Sequence, residues 1–217
     1  MKQYNFFLFD WDGTLVNSLP VWMRAYKKLF RKYNIAATSQ EILAKAYGNP
    51  VGCVSCGISN HEEFNRQLFE LVLKAYSKAT MFKGALNVLQ YLKKNHYKLA
   101  LITNTPSVLV QSYFNNNNLP NFFDVIITRE DVSKLKPNPE SYKKALLLLG
   151  VTKKQYKNVL VIGDSEQDIA AGNKLGIDCV LFEPRKTERN DLVNYEYKIK
   201  SFEELKKGYP SEKKLAS

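Results

Sequence analysis

The 217-residue chain contains no run of eighteen or more apolar residues, which excludes a membrane-spanning helix. Its first residues enter only a short apolar stretch that ends at Asp10. The longer hydrophobic region and small-residue cleavage site of a secretory signal are missing, so a cytoplasmic location is expected. Cysteine is scarce. Three residues, an odd number in a chain without a secretion signal, argue against a disulfide framework. Cys53 and Cys56 form a C-x-x-C with His61 nearby. A tetrahedral zinc site needs a fourth ligand, and a redox pair needs a thioredoxin-like setting, so both are expected to be incidental thiols in a glycine-rich loop. Acidic residues are also short, 21 against 32 lysines and arginines, for a net charge of +11. That charge suits anionic partners. However, the lysines are scattered in doublets such as Lys27-Lys28, Lys93-Lys94 and Lys153-Lys154, and no basic block interleaves with aromatics. Solvated helix faces are expected, and no nucleic-acid or membrane partner. No internal repeat is present.

What is there is an ordinary globular composition, 45% hydrophobic and 24% charged, long enough for a substantial core. Short runs rich in β-branched and aromatic residues read as strands at Tyr4–Phe9, Lys98–Thr103, Asp124–Thr128, Asn158–Gly163 and Asp178–Phe182. Several are continuously apolar, the mark of parallel strands buried on both faces. Helical patterns lie between them at Ala85–Lys94, Val108–Phe114, Glu140–Leu149 and Gln167–Leu175. The alternation predicts an α/β fold, a Rossmann-like parallel sheet with flanking helices. Between the first strand and Gly84, only helical patterns appear, at Pro20–Tyr33, Gln40–Tyr47 and His61–Lys78. The expected organisation is an α/β core of residues 1–16 and 80–210, a small helical domain of residues 17–79 inserted after the first strand, and a frayed polar tail of residues 211–217.

The chemistry gathers at strand ends. The first apolar run closes in Asp10-Trp11-Asp12-Gly13-Thr14. Alternate residues of an extended chain point to the same side, so the two carboxylates should lie roughly 6–7 Å apart and repel. At the carboxyl end of a central parallel strand, where open α/β sheets bind ligands, a divalent cation would resolve that repulsion. Hard carboxylate oxygens suit Mg²⁺. Gly13 allows the sharp turn that follows. The second strand runs into Thr103-Asn104-Thr105-Pro106, a hydroxyl and free N–H groups at a helix start, which suits an anion. Lys136 stands before Pro137-Asn138-Pro139, and the fourth strand ends in Gly163-Asp164, with Asp168 four residues on. Taken singly, Thr103, Asp164 and Ser165 also suit helix caps, and Asp168 suits a helix terminus.

Together these motifs resemble the haloacid dehalogenase-like hydrolase superfamily, in order and over the whole chain, and the phosphoglycolate phosphatase-like group with a helical cap in particular. The resemblance implies Asp10 as nucleophile and Asp12 as the acid that protonates the leaving alcohol and then activates water. It implies Mg²⁺ held by the Asp10 carboxylate, the Asp12 backbone carbonyl and Asp164. Thr103, Asn104 and Lys136 would bind phosphate, with Lys136 also orienting Asp10. Asp168 would steady Lys136 or a metal-bound water. The second aspartate, Asp12, disfavours a dehalogenase. The absence of a histidine in Leu19-Pro20-Val21-Trp22-Met23-Arg24 disfavours a phosphomutase of the β-phosphoglucomutase type, the alternative kept beside a silent binding protein of the same fold. The resembling group implies a small phosphorylated metabolite as partner and a monomer or homodimer. Arg24, Lys45 and Asn49 are candidates for contacting the rest of the substrate. Leu135 replaces the glycine that many relatives carry before the lysine.

Overall fold

The computed structural model describes residues 4–49, 51–184, 194–206 and the backbone of 212–213. The chain divides into two compact units. One comprises residues 1–17, 81–110 and 120–217, and the other residues 18–80 and 111–119. The division therefore runs through α5 (Ser107–Asn116), a helix expected to lie wholly with the sheet.

The first unit is built on a seven-stranded sheet. In chain order its strands are β1 (Phe6–Phe9), β4 (Lys98–Ile102), β5 (Val125–Ile127), β6 (Val159–Gly163), β7 (Asp178–Phe182), β8 (Tyr197–Ile199) and β9 (Glu212–Lys213). Two-residue strands β2 (Val16–Asn17) and β3 (Thr80–Met81) stand where the chain leaves and returns. The order across the sheet is β5-β4-β1-β6-β7-β8-β9, parallel except for β9 on β8. Hence β1 lies inside the sheet, with Phe9 opposite Leu101 of β4 and Ile162 of β6. The Phe82 N–H donates to the Leu15 carbonyl at 2.9 Å, binding the returning chain to the departing one.

Burial on both faces explains why the strands read as continuous apolar runs. On β1, Leu8 enters one core layer with Ala100, Ile102, Val159 and Val161, beneath Tyr142 and Leu146 of α6 (Glu140–Leu148) and Ile169 of α7 (Glu166–Asn173). The alternate residues Phe7 and Phe9 face the other way. Phe7 meets Tyr97 edge-on at 5.3 Å, and Phe9 lies near Phe202, which stacks on Phe182 at 4.6 Å. That second layer holds α4 (Ala85–Lys94), with Val88, Leu89 and Leu92 buried, and α8 (Phe202–Lys206).

The helical unit contains α1 (Leu19–Lys32), the single turn α2 (Ser39–Glu41) and α3 (His61–Ala75). Apolar residues at three- and four-residue spacing meet across α1 and α3. The Phe30 and Phe64 rings lie 5.1 Å apart, and Tyr26 stacks on Phe30 at 6.2 Å. The predicted helix at Gln40–Tyr47 differs in kind. Thr38 and Glu41 form a capping box at α2, and the chain then widens into a π-helix at Ile42–Ala46. A short 3₁₀ helix, Gly52–Cys56, carries the C-x-x-C, with Cys53 buried, Cys56 half-buried and both thiols free. The tail expected to be frayed contains one backbone pairing. Glu212 and Lys213 pair with Lys198 and Tyr197 as an edge strand, while residues 211 and 214–217 lie outside the described residues.

Candidate active site

Three neighbouring strands end at one place. β1 delivers Asp10, β4 delivers Thr103 and β6 delivers Asp164, each one residue beyond its strand. Backbone bonds extend the sheet a step further, from Asp10 N–H to the Ile162 carbonyl at 2.9 Å and from Thr103 N–H to the Ile127 carbonyl at 2.9 Å. These residues therefore inherit the rigidity of the sheet. Because β4 and β6 flank β1, this is the switch point at which such sheets open a crevice.

Lys136 is the centre of the cluster. It is only 5% exposed, and its ammonium has three donors. They go to Asp10 Oδ1 at 2.6 Å, Asp168 Oδ1 at 2.6 Å and the Ile102 carbonyl at 2.9 Å. All three are filled within the protein, so contact with a phosphate oxygen requires one to be exchanged. Burial alone would lower its pKa, but Asp10 and Asp168 outweigh that and raise it, so it is a fixed cation. Asp10 responds in the opposite sense. Burial pushes its carboxyl well above the usual range; Lys136 pulls it back, while Asp168 and Asp164 push it further up.

Asp168 is both a positioning residue and a cap. One oxygen takes the Lys136 ammonium, with the Tyr142 hydroxyl at 3.4 Å. The other accepts from Ser165 Oγ at 2.5 Å and Ser165 N–H at 3.2 Å, closing the capping box of α7. Gly163 makes this possible, because a Cβ there would stand 2.3 Å from the Cβ of Asp168. Gly13 has an equivalent duty toward Asp164. Its φ is +85°, and a Cβ would overlap the Asp164 carboxylate at 2.4 Å. Thr14 Oγ1 reaches Asp164 Oδ1 at 3.5 Å.

Asp10, Asp164 and Asp168 each place a carboxylate oxygen within 4.8 Å of the others. Three hard-oxygen donors with a single ammonium among them leave a net negative charge that suits a divalent cation. The Asp12 side chain stands outside this trio and accepts a hydrogen bond from Thr105 Oγ1. Thr103 Oγ1 in turn accepts from the Thr105 N–H at 3.1 Å. The sequence reading missed Thr105, although a signal exists. Thr103-Asn104-Thr105 repeats on β4 the alternation that Asp10-Trp11-Asp12 has on β1, and period two sends both hydroxyls to one side.

The Asn104 side chain was missed as well. Its Oδ1 accepts from the Lys136 N–H at 3.0 Å, and its Nδ2 donates to the Lys136 carbonyl at 3.2 Å and Gln167 Oε1 at 3.2 Å. The amide thus staples the lysine loop to the end of β4. Asn104→Ala is expected to leave the Lys136 N–H without its partner and to lower stability by about 1–3 kcal/mol, read from urea unfolding curves.

The substrate-contact candidates all lie in the helical unit. Arg24 is exposed on α1, Lys45 lies 4.0 Å from Glu41, and Asn49 Oδ1 caps its own turn by accepting from Val51 N–H at 3.2 Å.

Known proteins resemble this chain in sequence and in fold. The profile of the family described as haloacid dehalogenase-like hydrolase matches residues 7–182. The pyrophosphatase PpaX of Bacillus cereus is 28% identical over 181 residues, 79% of this chain and 80% of that protein. The phosphoglycolate phosphatase of Pseudomonas putida is 28% identical over 185 residues, 80% of this chain and 67% of that one. Among solved structures, CbbY of Rhodobacter sphaeroides, crystallised with phosphate, superposes with a TM-score of 0.76 at 20% identity, covering 94% of this chain and 96% of that one.

Proposed function

The chain belongs to the haloacid dehalogenase-like hydrolases, and from that premise we propose that it is a magnesium-dependent phosphatase of small phosphorylated metabolites that works through a covalent aspartyl phosphate on Asp10. The observation that carries the proposal is the chain of contacts from Asp10 through Lys136 to Asp168, beside Asp164, at the carboxyl ends of the central strands. The relatives named pyrophosphatase and phosphoglycolate phosphatase support phosphate hydrolysis as the reaction class.

Each residue has a distinct task in this reading. Asp10, Asp164 and the Asp12 backbone carbonyl would hold Mg²⁺. When bound, the cation neutralises charge on the transferring phosphoryl group. Lys136 fixes the rotation of the Asp10 carboxylate, so that an oxygen meets phosphorus without a search over side-chain angles. As the P–O bond to the alcohol breaks, Asp12 gives that oxygen a proton. The Asp12 carboxylate then takes a proton from water, and the water oxygen displaces Asp10 from phosphorus. Thr105 holds the Asp12 carboxyl between these events. Thr103 Oγ1 and the Asn104 N–H would bind phosphate oxygens that acquire charge.

A panel of phosphoesters with pyrophosphate tests the reading. Inorganic phosphate release is expected from at least one compound with Mg²⁺ and is expected to stop in excess EDTA. No release from any compound, or release that EDTA leaves unchanged, would count against it.

A further inference from the structure

Lysines that look scattered in the sequence are gathered by α1. Its fourteen residues hold five cations and no acid. Arg24, Lys27, Lys28 and Arg31 fall at spacings of three and four, so they form one stripe along the helix. All four are exposed. Among the described residues, no ion pair or hydrogen bond engages any of these four side chains. The stripe is one wall of a groove of about 1090 Å³, whose other wall is α3. There the charged side chains are already paired. Arg66 bridges Glu63 at 2.7 Å and Glu70 at 2.6 Å, while Lys32 of α1 is held by Gln67 at 2.7 Å. Six cations against two carboxylates line the groove, and the unmatched positive charge runs in a line along α1.

We propose that this groove binds a linear polyanion of inorganic polyphosphate type, through Arg24, Lys27, Lys28 and Arg31. Like charges at helical spacing repel one another, and a chain of anionic charges laid along the stripe relieves that repulsion at each step. Binding of this kind releases counterions and is strongly salt-dependent. The lining contains no aromatic side chain, so the groove lacks the flat ring platforms on which single-stranded nucleic acids lay their bases. A concave track with charge on one wall also suits a thin chain better than a broad duplex. The residues belong wholly to the helical unit, and Lys27, Lys28 and Arg31 have no part in the proposed hydrolysis, for which only Arg24 is a candidate substrate contact, so the site does not depend on that reading.

The test uses the full chain carrying Asp10→Asn, in EDTA, so that turnover cannot consume the probe. Isothermal titration with polyphosphate of defined length is run between about 50 and 200 mM salt. Log K is expected to fall linearly with log salt concentration. Lys27→Glu with Lys28→Glu is expected to weaken binding by about tenfold or more and to flatten that slope. Lys153→Glu with Lys154→Glu changes net charge equally on the other unit and is expected to leave affinity within about twofold. Matching circular dichroism and melting curves establish that both pairs fold. The proposal is overturned by no binding, by equal losses in the two pairs, or by tighter binding of an oligonucleotide of equal charge.

Discussion

Asp10→Asn is expected to lower phosphoester hydrolysis by on the order of 10⁴-fold or more, while the protein remains folded. An amide cannot serve as an anionic nucleophile, and it weakens the ligand set for a cation. Two features argue that the fold survives. The substitution is nearly isosteric, and burial already disfavours the charge on Asp10, raising its pKa well above the ordinary value. The amide oxygen can still accept from Lys136. Steady-state phosphate release, set beside a urea unfolding curve, checks both halves. Activity within tenfold of the parent chain would remove Asp10 from the reaction.

Lys136→Met is expected to act on stability as well as turnover. The lysine is the shared counterion of two carboxylates that are 5% and 1% exposed, and among the described residues no other cation pairs with either. Removing it leaves Asp10 and Asp168 facing each other without compensation. Breaking one partner out of a buried pair typically costs about 3–5 kcal/mol. The expected result is a large fall in the urea midpoint in EDTA, with loss of activity under all conditions. Adding Asp168→Asn should recover part of the lost stability, because it removes one of the two stranded charges. An unchanged midpoint for Lys136→Met would contradict the arrangement.

The sheet was legible wherever a strand is buried on both faces. Phe6–Phe9, Lys98–Ile102 and Val159–Gly163 stand out because a continuously apolar run offers no side to solvent and so belongs between two layers. β8 was not legible. In Tyr197-Lys198-Ile199 only Ile199 is buried, and three residues carry no period. The π-helix at Ile42–Ala46 escaped notice for a related reason, since apolar spacing within one or two turns does not distinguish it from an α-helix. At the site, residues at strand ends could be read because strand ends are where such sheets place chemistry. The staples could not. Asn104 and Lys136 are 32 positions apart, and no local pattern signals that one amide grips the backbone of the other. The glycines lie between these cases. The turn at Gly13 was readable, but the closeness of Asp164 to that turn depends on β6 lying beside β1.

Loss of activity in Asp10→Asn alone does not separate a nucleophile from a metal ligand. The most direct measurement is acid quenching of the native chain during turnover of a phosphate-labelled substrate in Mg²⁺, followed by peptide mapping. A covalent aspartyl phosphate on Asp10 predicts label on the peptide carrying that residue, at a level that falls as substrate is exhausted. Full-rate phosphate release with no label on the protein at any time would contradict it.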